Sequence, residues 1–148
     1  MTGCSNALVD EVVLSICLFE GLSNARKYRE PASVISVRVA LEEAEDPRES
    51  EDSSAHTPSC RLHLELDNVH RTSVAPLSAE QCLRVFDEGY KGHNSTATSS
   101  GLGMNSIKKA AEEVGGAVSL STTVDSQDAV HTVLHVRLPA DHVASADE

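Results

Sequence analysis

The sequence predicts an α+β fold: a two-layer α/β sandwich, with helices covering one face of a mixed, mostly antiparallel sheet. Three observations predict it. Four segments alternate apolar and polar residues at period two, as half-buried strands do. Three others carry apolar residues at helical spacing. The order is helix, strand, strand, helix, loop, helix, strand, strand, and consecutive strands with short links pair antiparallel. At 148 residues the chain has the length of one domain, 1–148, with a core expected over 8–138. Hydrophobic residues make up 40%, enough for a core that needs no disulfide or metal staple. Phe19, Phe86, Tyr28 and Tyr90 are its only aromatics besides histidine, so that core is aliphatic.

The first helix is expected from about Leu8 to Tyr28. Leu8, Val12, Ile16 and Phe19 recur at its spacing, and Pro31 stops it. Gly21 costs about 1 kcal/mol there relative to Ala; it marks either a close packing neighbour or room for a ligand. Val34–Leu41 (VISVRVAL) reads as a strand that buries Ile35, Val37, Val39 and Leu41. The acidic run 42–59 reads as a solvated connection between strands. Arg61–Val69 (RLHLELDNV) alternates again, with Leu62, Leu64 and Leu66 on one face. Ser78 and Gln81 form a predicted capping box for a helix reaching about Glu88. Residues 89–103 (GYKGHNSTATSSGLG) have no hydrophobic period and read as a long flexible loop. A helix from about Met104 ends at Gly115-Gly116. Ala117–Val124 and Val130–Leu138 are the closing strands, the last with Val130, Thr132, Leu134, Val136 and Leu138 on one face, and 139–148 is a flexible tail.

The formal charge is −11, from 12 basic and 23 acidic residues. That balance repels nucleic acid and anionic membrane surfaces, but local donors can still hold a small polyphosphate. Cys4, Cys17, Cys60 and Cys82 fit neither a disulfide framework nor a zinc spacing, so free thiols in a reducing compartment are expected. Ala7–Phe19 contains Asp10 and Glu11, is too short for a membrane span and lacks the basic start of a signal peptide. The expected location is cytoplasmic.

Three clusters carry candidate chemistry. On a helix, Glu20, Asn24 and Lys27 share a face. Glu20 and Asn24 are hard oxygen ligands at the spacing that suits Mg²⁺, with Lys27 placed to neutralise phosphate; a plain polar face with a Glu20–Asn24 hydrogen bond fits equally. Asp67 ends a strand, where a carboxylate accepts from an exocyclic amine such as that of adenine, or forms an Asx turn. Gly101-Leu102-Gly103 opens a helix, where glycines admit a close ligand and the helix N-terminus favours an anion; a simple turn is the alternative. His131 and His135 are expected to face solvent from their strand rather than to ligate.

The ordered set FEGLSNARKY, LDN, VFDEGYKG and GLGM resembles the GHKL superfamily, which holds sensor histidine kinases, gyrase-type ATPases, MutL-type repair proteins and heat-shock ninety chaperones. It is most similar to the catalytic and ATP-binding domain of histidine kinases, over about residues 8 to 138. The resemblance implies a Bergerat-type ATP-binding fold and Mg-ATP as ligand. It implies that Asn24 and Glu20 bind Mg²⁺, that Glu20 is the catalytic acidic residue, and that Lys27 touches phosphate. Tyr28 would pack on adenine and Asp67 would read its amine, while Gly101, Leu102 and Gly103 belong to an ATP lid over 89–103. The γ-phosphoryl would pass to a histidine on a partner or on a segment outside this chain, and a response-regulator-type protein would be a further partner. One departure stands out: the family's D-x-G-x-G box appears as Asp67-Asn68-Val69-His70-Arg71, without glycine. A degenerate, non-catalytic interaction module is the alternative this departure raises. The ATP-binding reading requires Asn24 and Asp67 to face a single cavity.

Overall fold

The computed structural model describes residues 7–43, 60–73, 75–90 and 103–143. Its first element is a two-residue strand, β1 (Ala7–Leu8), too short to show any period and so absorbed by the sequence pattern into the helix that follows. Helix α1 (Glu11–Tyr28) starts where the Asp10 carboxylate accepts a hydrogen bond from the Val13 N–H at 2.9 Å. Glu11 in its first turn and Arg26 and Lys27 in its last complement the helix dipole. Then come β2 (Ile35–Glu43), β3 (Cys60–Val69), the short α2 (Ala79–Arg84), α3 (Gly103–Glu113), β4 (Ala117–Val124) and β5 (Val130–His142). The Ser78–Gln81 capping box forms as expected, with both reciprocal bonds present. Helix α3 ends in a Schellman motif: Gly116 N–H donates to Ala111 O and Gly115 N–H to Glu112 O, with Gly115 at φ 81°.

The sheet runs β2–β3–β5. The far edge of β5 is shared, β4 pairing along Val130–Arg137 and β1 pairing at Asp141–His142. All these strand pairings are antiparallel, so the sheet is simpler than the mixed one expected. The expected tail begins too early: Pro139 and Ala140 pair with Arg61 and Cys60, which extends β5 beyond Leu138. The acidic run from 44 to 59, most of the loop from 91 to 102, and residues 144–148 lie outside the described residues.

Helices α1 and α3 lie side by side on one face of the sheet. Beneath them Leu62, Leu64, Leu66, Leu134, Val136 and Leu138 are buried with Val13, Cys17, Met104, Ile107 and Ala111. A Cβ at Gly21 would run into Leu66 Cδ1 and lie 3.1 Å from Leu134 Cδ2, so this glycine serves close helix–sheet approach. One strand departs from its predicted burial. Val37 and Val39 stand in register with Leu66 and Leu64, yet are 47% and 57% exposed, because β2 is the edge strand and no helix covers it. Cys17, Cys60 and Cys82 are buried free thiols. Burial pushes the Cys17 thiol up to about 11 and raises that of Cys82, which leaves both unreactive at neutral pH. No helix among the described residues is long and apolar enough to cross a membrane.

Candidate functional site

Strand alternation decides which predicted residues meet. Leu62, Leu64 and Leu66 face the helices, so the same phase carries Asn68 and His70 to the helix side and turns His63, Glu65, Asp67 and Val69 to the open side. On β5 the helix side holds Thr132, Leu134 and Val136, and the open side holds His131, Val133 and His135. Asn68 and Thr132 are direct cross-strand partners. Among the described residues, Asn68, His70 and Thr132 are the buried polar ones, 4%, 6% and 7% exposed.

Helix α1 runs along β3 in the same direction. Gly21 packs on Leu66, while further on Arg29 bridges His70, Glu30 N–H donates to Val69 O at 2.8 Å and Arg71 N–H donates to Tyr28 O at 3.1 Å. The turn between these anchors, with Asn24 and Ala25, therefore lies over the part of β3 that holds Asn68. Glu20, Asn24 and Tyr28 are half-buried and Lys27 is exposed. At the other wall, a Cβ on Gly103 would stand 2.6 Å from Glu20 Oε2. The first residue of α3 thus gives the Glu20 carboxylate its place, and a side chain there would displace it. Asn105 in the same turn donates from Nδ2 to Phe86 O at 2.9 Å, tying α3 to the segment after α2. Gly101 and Leu102 lie outside the described residues.

Asp67 is the correction. It does not face Asn24 across a cavity, because strand alternation puts it on the opposite side of the sheet. There its Oδ1 lies 2.8 Å from His131 Nδ1, and His131 Nε2 lies 2.9 Å from Asp125 Oδ2. Hydrogen bonds to Asp125 and then Asp67 raise the His131 pKa above its ordinary value. The bond from His131, with the backbone N–H groups of Gln127 and Ala129, lowers that of Asp125. Val69 turns outward as well, so the residue that occupies helix-side space beside Asn68 is His70. Its Nε2 lies 3.1 Å from Ala75 O, which can only accept, so Nε2 carries the proton. Nδ1 then accepts from Thr132 Oγ1 at 3.4 Å. The sequence did hold the signal for Asn68 and His70: the Leu62-Leu64-Leu66 phase continues straight through both.

Chemically, the helix side offers a carboxylate and an amide oxygen one turn apart on α1, a donor set of the hard oxygens that Mg²⁺ takes. Below them stand an amide with donor and acceptor atoms and a hydroxyl, and α3 adds an N-terminus with no Cβ at its first residue.

Among known proteins, no family model matches the chain, and no curated protein matches it by sequence. Solved structures do. A mycobacterial sensor histidine kinase, MprB, matches with a TM-score of 0.64 at 18% identity, over 90% of this chain and 74% of that one. The full-length ShkA structure in complex with AMPPNP matches with a TM-score of 0.65 at 16% identity, over 95% of this chain and 24% of that one. This chain therefore spans about a quarter of ShkA. The α+β architecture, an antiparallel sheet with helices on one face, is that of these histidine kinase structures.

Proposed function

We propose that this domain binds Mg-ATP on the helix side of the sheet and acts as the phosphotransfer domain of a histidine kinase-type protein. One observation carries the reading: the Glu20 carboxylate against Gly103 joins the polar face of α1 to the start of α3. That contact unites two of the four segments on which the family resemblance rests. The fold shared with MprB and ShkA agrees with it, and ShkA was solved with AMPPNP.

In this reading Glu20 and Asn24 hold Mg²⁺ and Lys27 faces the phosphates. The α3 N-terminus, with Gly101, Leu102 and Gly103, receives them. Tyr28 flanks the base. The requirement that Asn24 and Asp67 share a cavity fails, and the reading rests instead on Asn24 and Asn68, which share the helix side: Asn68 takes the role first expected of Asp67, its amide accepting from the adenine amine and donating to a ring nitrogen, as Asn does with adenine elsewhere. Bound Mg-ATP supplies the γ-phosphoryl, whose bond to the β–γ bridging oxygen breaks as one to a histidine nitrogen forms. The chain contributes positioning and charge neutralisation, with Glu20 beside the transferred group as its catalytic residue. The acceptor histidine belongs to a partner or another segment, and a response-regulator-type protein is the further partner. The work is assigned to the cytoplasm.

The test is calorimetric titration of the purified chain with AMPPNP, with and without Mg²⁺. Mg²⁺-dependent binding is expected, lost in Asn24→Asp and Asn68→Ala while the unfolding free energy stays within about 1 kcal/mol of wild type. Asp67→Ala should bind normally. No binding at millimolar nucleotide removes the proposal, and loss of binding in Asp67→Ala removes the assignment of Asn68.

A further inference from the structure

The open face of the sheet carries a second constellation, on the side away from the proposed nucleotide. His63 and Glu65 are two apart on β3, so both project outward, and His135 of β5 is the direct cross-strand partner of Glu65. Three donor atoms converge. His63 Nε2 is 3.2 Å from His135 Nδ1, and Glu65 Oε1 is 3.6 Å from each of them. The nearest point equidistant from all three, in their own plane, lies about 2.0 Å from each, and a small step out of that plane keeps all three at the length of a Zn–N or Zn–O bond. A tetrahedral zinc site separates its ligand atoms by about 3.3 Å. We propose that His63, Glu65 and His135 form a Zn²⁺-binding site, with a fourth position open to water.

The surroundings set the ligands for this task. His63 Nδ1 lies 2.9 Å from Glu42 Oε1 on the neighbouring β2. A carboxylate can only accept, so the proton of neutral His63 sits on Nδ1 and Nε2 turns a lone pair inward. His135 Nε2 lies 3.2 Å from Ser121 Oγ on β4, a hydroxyl able to accept from it; in the tautomer that metal ligation requires, Nε2 donates to Ser121 and the Nδ1 lone pair turns inward as well. Two lone pairs and a carboxylate oxygen then face one another, an arrangement that a cation resolves. Both carboxylates are held on their outer oxygens: Glu65 Oε2 is 3.3 Å from Arg38 Nη1, and Glu42 Oε2 is 3.5 Å from Arg137 Nε. That leaves each Oε1 for the histidines. Each imidazole has an outer partner of the kind that fixes tautomer and ring orientation at metal sites. Ligands of mixed imidazole and carboxylate character suit Zn²⁺ rather than Mg²⁺ or Ca²⁺. The ion would join β3 to β5 directly and β2 and β4 through Glu42 and Ser121.

The experiment uses the full chain, stripped with a chelator, and ZnCl₂ titrated in competition with a chromophoric chelator. One Zn²⁺ per chain is expected, with a dissociation constant in the micromolar range or tighter. His63→Gln and His135→Gln should each weaken it at least ~100-fold, and Glu42→Gln by about 10–100-fold as an orienting partner. His131→Gln, on the same face but outside the cluster, should leave the isotherm unchanged. Far-UV circular dichroism of the stripped variants checks that they fold, with His63→Asn as the substitute for any that do not. X-ray absorption of the zinc complex should show two imidazoles and one carboxylate oxygen. Sulfur ligation, undiminished binding in the double histidine variant, or no binding at micromolar free Zn²⁺ would each overturn the site. None of these results bears on nucleotide binding, which is measured separately and lies on the opposite face.

Discussion

The two faces of this sheet are made from the same strands and do opposite things. The helix side is leucine and valine, interrupted at one end by Asn68, His70 and Thr132. The open side of β3 and β5 alternates with it residue for residue and holds His63, Glu65, Asp67, His131, His135 and Arg137. On the helix side, burial sets the energetics and a few polar groups stand out against an apolar background. On the open side, charged and imidazole groups satisfy one another in half-exposed chains. A single-residue shift in reading therefore exchanges a buried amide for a surface ion pair, which is what separates Asn68 from Asp67.

The sharpest way to break the contrast is to truncate each side. Leu64→Ala on the helix side should cost about 2–5 kcal/mol in urea unfolding, because a fully buried leucine leaves a cavity in the core beneath the helices. Arg38→Ala on the open side removes an exposed pair with Glu65 and should cost within about 1 kcal/mol. Equal losses from both would erase the distinction.

Next in size is the closeness of the helix layer. Gly21→Ala gains up to about 1 kcal/mol of helix propensity, yet its methyl meets Leu66 and Leu134 in a filled core. Overpacking of this kind costs about 1–3 kcal/mol. A net loss is expected, read as a lower urea midpoint; a gain would mean that α1 can lift from the sheet.

The smallest effect is a pH slope on the open side. The folded-state pKa of His131 is raised, so its pairing with Asp125 and Asp67 contributes fully below its unfolded value of ~6.5. That contribution is lost as pH rises through the higher folded value. The lowered pKa of Asp125 works at the other end, its contribution present above the ordinary carboxylate range and lost as pH falls through the folded value. Urea midpoints of wild type should therefore decline as pH rises above ~6.5 and through the raised folded-state value of His131. In His131→Gln that decline should flatten. An unchanged slope in the variant assigns it to other groups.

Most of the architecture was legible because periodicity is a local property. The bounds of β4 agree to the residue, those of β3 to within one and those of α3 to within two. What escaped depends on neighbours. The exposure of Val37 and Val39 follows from β2 having no helix above it, which its alternating pattern does not encode. The pairing of Asp141 and His142 depends on β1, a strand of two residues, and that of Pro139 and Ala140 on the start of β3. Within the site, helical spacing picks out the α1 face and the Gly-Leu-Gly turn picks out Gly103, and Gly103 lies against Glu20 of that face. Asp67 was chosen for its chemistry against the phase that Leu62, Leu64 and Leu66 had already set. The His63–Glu65–His135 triangle needs the register of β3 against β5, and no single segment contains it.

The pairing of Ala7 with His142 and Leu8 with Asp141 has a mechanical consequence. It sets the two ends of the folded unit side by side, so whatever polypeptide continues from either end departs from one corner. A pull applied between those ends would load the two pairs in succession, as a zip opens, rather than all together. That corner would peel while β5 stays clamped between β3 and β4, giving the domain a weak latch at its point of attachment and a strong body behind it.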